Sequence, residues 1–416
     1  MPTKKTTSRH IGPVIKCQVC GNTKLQPVLS LGHQPIPQEY LTDRLVHEMT
    51  YPLNLQFCTK CGLTQVDYII DPEIVFPKNY PYRTGMTNML IRNFRQLAET
   101  MDEQYHFKPK DLIIDIGSND GSLLAQFKER GLRVLGIEPT DAAKVANKNK
   151  IPTIQAFLDL KTARAVVKKY GKARFVTATN VFAHIINMPE LMASIKTVLD
   201  KDGVFVSESQ YLMDIIEKLE FDTVYHEHLR FYGLKPLQYL FSQYGMSIVD
   251  AERITAAGGS IRVYAMKGKH APSVRVKELM KKEKEAGLYD IKKLREFAAD
   301  AVGAKHELLR VLIECKQTGG RIVGIGSPCR SNTLLGFAKI DEQLLDYAVE
   351  RAGSPKIGMF TPGTHIPVLD EKQLFEDQPE FALMLSWHIG HELMDKLRAA
   401  GYKGKFIMPL PKPEIF

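Results

Sequence analysis

The spacing of apolar residues changes character along the chain, and the changes divide it. Up to about residue 75, short alternating stretches such as Tyr51-Pro-Leu-Asn-Leu-Gln-Phe57 lie between turn formers (Gly21-Asn22, Gly32, Pro35), which predicts a loop-rich module with little core of its own. From Thr87 to Met101, Met89, Leu90, Phe94 and Leu97 fall at helical spacing, and Lys108-Pro109-Lys110 ends that helix. Strand and helix patterns then alternate: strands over 112–116, 133–137, 175–179 and 203–207, helices over 122–130, 142–149 and 189–199. This alternation predicts a parallel, doubly wound sheet. After a charged helix over 277–317, strands over 321–326, 344–349, 381–385 and 405–407 predict a second α/β unit in tandem.

Length agrees, since 416 residues exceed one simple core. No apolar run reaches the roughly 18 residues of a membrane span, and residues 1–12 lack the apolar run of a signal peptide, so a soluble, cytoplasmic protein with no membrane partner is expected. The net charge of +9 raises the question of nucleic acid. Much of it, however, sits at Lys281, Lys282, Lys284, Lys292 and Lys293 among interleaved acids, as on a solvated helix face. A phosphate-bearing small substrate needs only a few of these cations, and no nucleic-acid partner is expected.

Four of the six cysteines form two Cys-x-x-Cys pairs, Cys17/Cys20 and Cys58/Cys61, each followed by glycine. Two such knuckles bring four thiolates onto one zinc ion, and a closed set of four leaves no position for substrate, so the metal reads as structural. It would supply the stability that a small core lacks. A redox pair or four unrelated thiols is the plainer alternative.

The apolar strand at 112 empties into Asp115-Ile-Gly117-Ser-Asn119-Asp-Gly121, and the next strand ends at Glu138. An acid at the end of the second strand suits ribose hydroxyls, and glycines let the backbone approach a ligand. Acids in the loop and an incomplete dinucleotide fingerprint fit an uncharged or cationic ligand better than pyrophosphate. Asp115 and Glu138 therefore point to S-adenosylmethionine, with its positive sulfonium and two ribose hydroxyls.

The densest cluster of chemistry is Phe221-Asp-Thr-Val-Tyr225-His226-Glu227-His228. Histidine is the side chain most readily poised as a base near neutral pH, and a neighbouring carboxylate orients it. A metal site and a purely structural cluster are the other readings; alternating positions of an extended segment face opposite ways, which weighs against shared ligation. His184 lies where the fourth strand delivers a loop to the active face. Two glycine segments, Ala257-Gly-Gly-Ser260-Ile-Arg262 and Gly324-Ile-Gly326-Ser-Pro-Cys-Arg330-Ser-Asn332-Thr333, offer backbone N–H groups and arginines to an anion; each is a weak signal alone.

Taken together, these segments resemble the three-domain sugar C-methyltransferases that act on nucleotide-linked 4-keto deoxysugars. The similarity runs from Cys17 to Pro409 and includes Asn180-Val-Phe-Ala-His184, Thr361-Pro-Gly-Thr-His365-Ile-Pro367 and Trp387. The resemblance implies a zinc-binding domain over 13–75, a central Rossmann-like class I methyltransferase domain over 76–265, and a C-terminal Rossmann-like domain over 266–416 that helps hold the sugar nucleotide. It implies His228 as the base that removes the proton beside the ketone, normally at C3, with Tyr225, Glu227 and His184 around it. Tyr80 or Tyr82 stands near the sugar. Asp115, Gly117, Asn119, Gly121, Glu138 and Asn180 would hold S-adenosylmethionine, and Ser260, Arg262, Arg330, Asn332 and His365 would join Tyr80 on the substrate. Two positions depart from the family pattern, Arg330 where lysine is usual and His388 where asparagine is usual, and both bear on which nucleotide sugar is bound. A monomer or weak homo-oligomer is expected. Competing readings are O- or N-methylation of another small metabolite, which would form no C–C bond, and a zinc-ribbon nucleic-acid binder, whose binding would fall steeply with salt.

Overall fold

Leu112–Ile116 is buried at every position, as a parallel strand covered by helices on both faces must be. It is a central strand of a seven-stranded sheet whose order runs Met246–Ile254, Ser260–Lys267, Leu199–Gln210, Ala173–Thr179, Leu112–Ile116, Arg133–Ile137, Thr153–Ile154. Strands pair in parallel except Ser260–Lys267, which is antiparallel to both neighbours. The order reverses between Leu112–Ile116 and Ala173–Thr179, and in open α/β sheets a ligand crevice lies beyond the carboxyl ends of the strands at that point. The structure, a computed structural model, describes residues 11–80, 83–86 and 88–416.

Local sequence accounts for the helix starts. Asp159 accepts the Thr162 N–H at 2.7 Å, and Asn187 and Glu190 cap each other ahead of Met188–Val198, with a proline in its first turn. The charged helix expected over 277–317 is two helices, Val274–Glu285 and Ile291–Gln317. The break falls at Gly287, whose positive φ of 68° ends the first, and Asp290 caps the second through the Lys292 N–H at 2.9 Å.

A second sheet of six strands runs Val368–Asp370, Ala348–Glu350, Ile322–Ile325, Phe381–Met384, Lys405–Met408, Glu414–Ile415, parallel except at the last. Its second strand begins at Ala348, later than apolar Leu344 and Leu345 suggest. Asp341 takes the backbone N–H groups of Gln343, Leu344 and Leu345 into a turn instead.

The N-terminal module is antiparallel: Leu25–Gln34, Tyr51–Cys58 and Thr64–Val66, joined at its edge by Arg230–Phe231 from far along the chain. That fourth strand follows His228 directly. The chemistry-bearing segment 221–231 is thereby tied to the cysteine module at one end. No helix of the described residues is long and apolar enough to cross a membrane.

Candidate active site

The four cysteine Sγ atoms lie within 4.8 Å of one another. A tetrahedron of ~2.3 Å zinc–sulfur bonds spaces its sulfurs by about 3.8 Å, so the set fits one zinc ion. Each knuckle closes alike: the Gly21 and Gly62 N–H groups donate to the Cys17 and Cys58 carbonyls at 2.9 and 3.0 Å, with φ of 69° and 81° at the two glycines. His226, by contrast, sits on the Pro52 carbonyl at 3.2 Å, away from Glu227 and His228 in role. The four cysteines are the sole metal-like cluster among the described residues.

The ligand crevice opens where the strand order predicts, into a cavity of about 460 Å³. Gly117 forms its floor; at φ 69° it is left-handed, and a Cβ there would fall 2.5 Å from Val181. Glu138 closes one side, its two oxygens accepting backbone N–H groups from Asn119 at 3.0 Å and Thr140 at 2.8 Å. Oε1 also accepts the Thr140 hydroxyl at 2.6 Å, which leaves Oε2 with a lone pair for a ribose hydroxyl. Asn119 and Asn180 both adopt positive φ, 48° and 56°, and both line the cavity. These features suit S-adenosylmethionine.

Asp115 and Gly121, expected to touch the cofactor, stand behind the wall. Asp115 is buried, and burial with Glu138 nearby holds its carboxyl well above the usual carboxylate range. Its Oδ1 has no hydrogen-bond partner among the described residues. Gly121 is needed for packing: a Cβ at its φ of 81° would meet Ile151 at 2.9 Å. Asp120, not singled out from sequence, receives the Thr84 hydroxyl at 2.7 Å and the Gly85 N–H at 2.8 Å and so fastens segment 84–85 beside the crevice. Its signal was only its place in an acidic loop.

The same cavity is also lined by His228, Tyr225, Glu227, His184 and Tyr80. The His228 Nδ1 lies 2.6 Å from the Thr223 carbonyl. A carbonyl only accepts, so Nδ1 carries the proton and Nε2 the lone pair. Burial, aided by the Arg330 charge, lowers this imidazole to about 4, leaving it neutral. The His184 ring is 5.0 Å from that of His228 and stacks on Phe76 at 5.7 Å, and burial holds it well below the ordinary histidine range. Phe76 follows the short helix Pro72–Val75 at the end of the N-terminal module, and nothing in its local sequence marks it. Tyr82 lies outside the described residues.

Glu227 accepts the Tyr80 hydroxyl at 2.9 Å on one oxygen, while the other has no partner among the described residues. Burial pushes its carboxyl from 4.5 to about 7. The folded carboxyl thus holds a proton that the unfolded chain releases, so the stability it contributes is present below 4.5 and is lost as pH rises through 7. The loss amounts to about 3 kcal/mol. Glu227→Gln removes that slope, so the stability of the variant relative to wild type should climb between pH 5 and pH 8 in urea titrations. Parallel curves would show that the carboxyl is not held protonated.

Five side chains expected on the substrate have other partners, and none lines the cavity. Arg262 is consumed by Glu208 at 3.0 Å, Glu252 at 3.0 Å and Asn93 at 2.7 Å. Ser260 donates to the Ala256 carbonyl at 3.0 Å, Asn332 to the Pro37 carbonyl at 2.8 Å, and His365 pairs with Glu48 at 3.0 Å. Arg330 places two nitrogens on Asp222, each at 2.8 Å. Buried charges demand partners, and acids from distant segments supply them before any ligand arrives.

Three family models tile the chain: a zinc binding domain over residues 17–76, a methyltransferase domain over 85–251 and a C-methyltransferase C-terminal domain over 255–411. The C-methyltransferase NovU of Streptomyces niveus is 28% identical over 411 residues, 97% of each chain. Among solved structures, the 1,6-didemethyltoxoflavin-N1-methyltransferase of Burkholderia thailandensis aligns over 50% of this chain and 96% of its own, with 17% identity and a TM-score of 0.35. A magnesium protoporphyrin IX methyltransferase from Synechocystis aligns over 43% and 84%, with 13% identity and a TM-score of 0.34. The zinc binding, methyltransferase and C-methyltransferase C-terminal models, matched in that order over a four-thiol module and a doubly wound sheet, mark the protein as an S-adenosylmethionine-dependent C-methyltransferase.

Proposed function

We propose that the protein methylates a carbon beside the ketone, C3, of a nucleotide-linked 4-keto deoxysugar, with His228 as the base. The observation that carries this reading is one shared cavity: Gly117, Glu138 and Asn180 line the same space as His228, His184 and Tyr225. The full-length likeness to NovU and the C-methyltransferase model support carbon as the acceptor. Glu138 and Asn119 would hold S-adenosylmethionine, which would supply an electrophilic methyl group on a positive sulfur.

A proton beside a ketone is weakly acidic, so its removal requires a base and a donor to the growing oxyanion. The Nε2 lone pair of His228 takes the proton, and the pair of electrons left on carbon moves toward the ketone oxygen. Tyr225 or His184 donates a hydrogen bond to that oxygen. The methyl that S-adenosylmethionine would supply would end on that carbon, leaving S-adenosylhomocysteine, and His228 holds the proton until it is lost to solvent. Tyr80 and Glu227, hydrogen-bonded to each other, line the same cavity beside these groups. We further propose a working division at 13–75, 76–265 and 266–416, the last unit holding the nucleotide through groups other than the five already engaged.

The test is direct. With labelled S-adenosylmethionine and a panel of 4-keto sugar nucleotides, the methyl should appear on C3 by NMR; a methyl on oxygen or nitrogen would overturn the assignment.

A further inference from the structure

Asp222 is fully buried, three residues before Tyr225 of the catalytic cluster and one before Thr223. Its carboxylate is gripped from the C-terminal unit. Arg330 Nε and Nη2 lie 2.8 Å from its two oxygens, and the Trp387 indole N–H lies 2.7 Å from one of them. The guanidinium also packs against the Trp387 ring at 4.9 Å, and Glu220 stands 3.6 Å from Nη2. The next turn of the same helix, Cys329–Ala338, sends the Thr333 hydroxyl to the Val224 carbonyl at 3.1 Å. Between these two anchors lies Thr223, whose carbonyl takes the His228 Nδ1–H at 2.6 Å.

We infer that Arg330 is a positioning residue for the base: by clamping Asp222 it fixes the turn 221–223, and with it the carbonyl that sets the tautomer and aim of His228. The inference rests on the reading of His228 as the base. It assigns the C-terminal unit a part in the chemistry itself, besides any hold on the nucleotide. A buried ion pair is poor at adding stability, because desolvation offsets the attraction, but a planar fork on a carboxylate fixes direction as a point charge does not. Arginine in place of the family's usual lysine therefore has a geometric consequence here. A displacement of about 1 Å at a reacting group can cost about 10² in rate.

The experiment uses the full-length, zinc-loaded protein with Arg330→Lys, which keeps the charge and loses the fork, and Trp387→Phe, which removes one N–H from Asp222 and keeps an aromatic ring beside the guanidinium. Three quantities are read: kcat against KM for a sugar nucleotide that the wild type methylates, S-adenosylhomocysteine affinity by calorimetry, and the His228 imidazole 15N shifts. For Arg330→Lys, kcat should fall between about 10-fold and 100-fold, with KM and S-adenosylhomocysteine affinity within about twofold. The 15N shifts should leave the Nδ1–H pattern for a mixture of tautomers, and Trp387→Phe should move the same way by less. Unchanged kcat and shifts in both variants would overturn the inference, as would a rise in KM at constant kcat, which marks a substrate contact. The two readings fail separately: full turnover by His228→Ala sinks the base, whereas unmoved 15N shifts sink the clamp whatever the base is.

Discussion

His228→Ala should lower methyl transfer by about 10² to 10⁴ while S-adenosylhomocysteine binds as before, since a positioned base contributes a rate factor of that size and Glu138 and Gly117 belong to other segments of the cavity lining. The pH dependence adds a second check. His228 acts as the neutral ring, and burial lowers its ionisation to about 4, so the form that removes the proton persists down to that pH and is lost below it. The acid limb of kcat/KM should therefore lie well under 6.5. A limb near 7 would instead report Glu227, whose carboxyl is pushed up to about 7, as the group that must lose its proton. Turnover by His228→Ala at the wild-type rate would remove the base from the mechanism outright.

Loss of the metal should be the most disruptive change to the fold. Zinc binding to four thiolates is worth about 10 to 16 kcal/mol, as much as the whole net stability of a domain. Cys58→Ala, or a strong chelator, should unfold the N-terminal module as a separate low-temperature transition with loss of bound zinc. The damage should also reach the catalytic segment. Gln18, between the two ligands of the first knuckle, donates to the Leu229 carbonyl at 3.2 Å and receives Arg230 Nη1 at 3.0 Å, and Val66 N–H donates to Leu229 at 3.1 Å. Amide hydrogen exchange over 226–231 should rise along with that of the module. Protection there that is indifferent to zinc would show that the knuckle supports only itself.

Much of the site was readable before any fold was known. His228, Glu227, Tyr225 and His184, with Gly117, Asn119, Glu138 and Asn180, all line the cavity. Each lies at a strand end or in a motif whose spacing is local, and spacing is what a sequence displays directly. Arg262, Arg330 and His365 show the opposite case. A cation beside a glycine turn looks like an anion site, but its partners, Glu208, Asp222 and Glu48, lie 54, 108 and 317 residues away.

By itself the chain determined the parallel sheets, the helix caps, the zinc ligands and the cofactor crevice, because periodicity, cap residues and knuckle glycines act over a few neighbours. Only the tertiary structure decided which charges meet ligand and which meet each other, that Asp115 and Gly121 work from behind the wall, and that the cysteine module and the C-terminal helix grip the His228 segment from both sides. Those outcomes depend on contacts between residues far apart in sequence, where burial forces every charge to find a partner and the partner's identity is a matter of how the sheets dock.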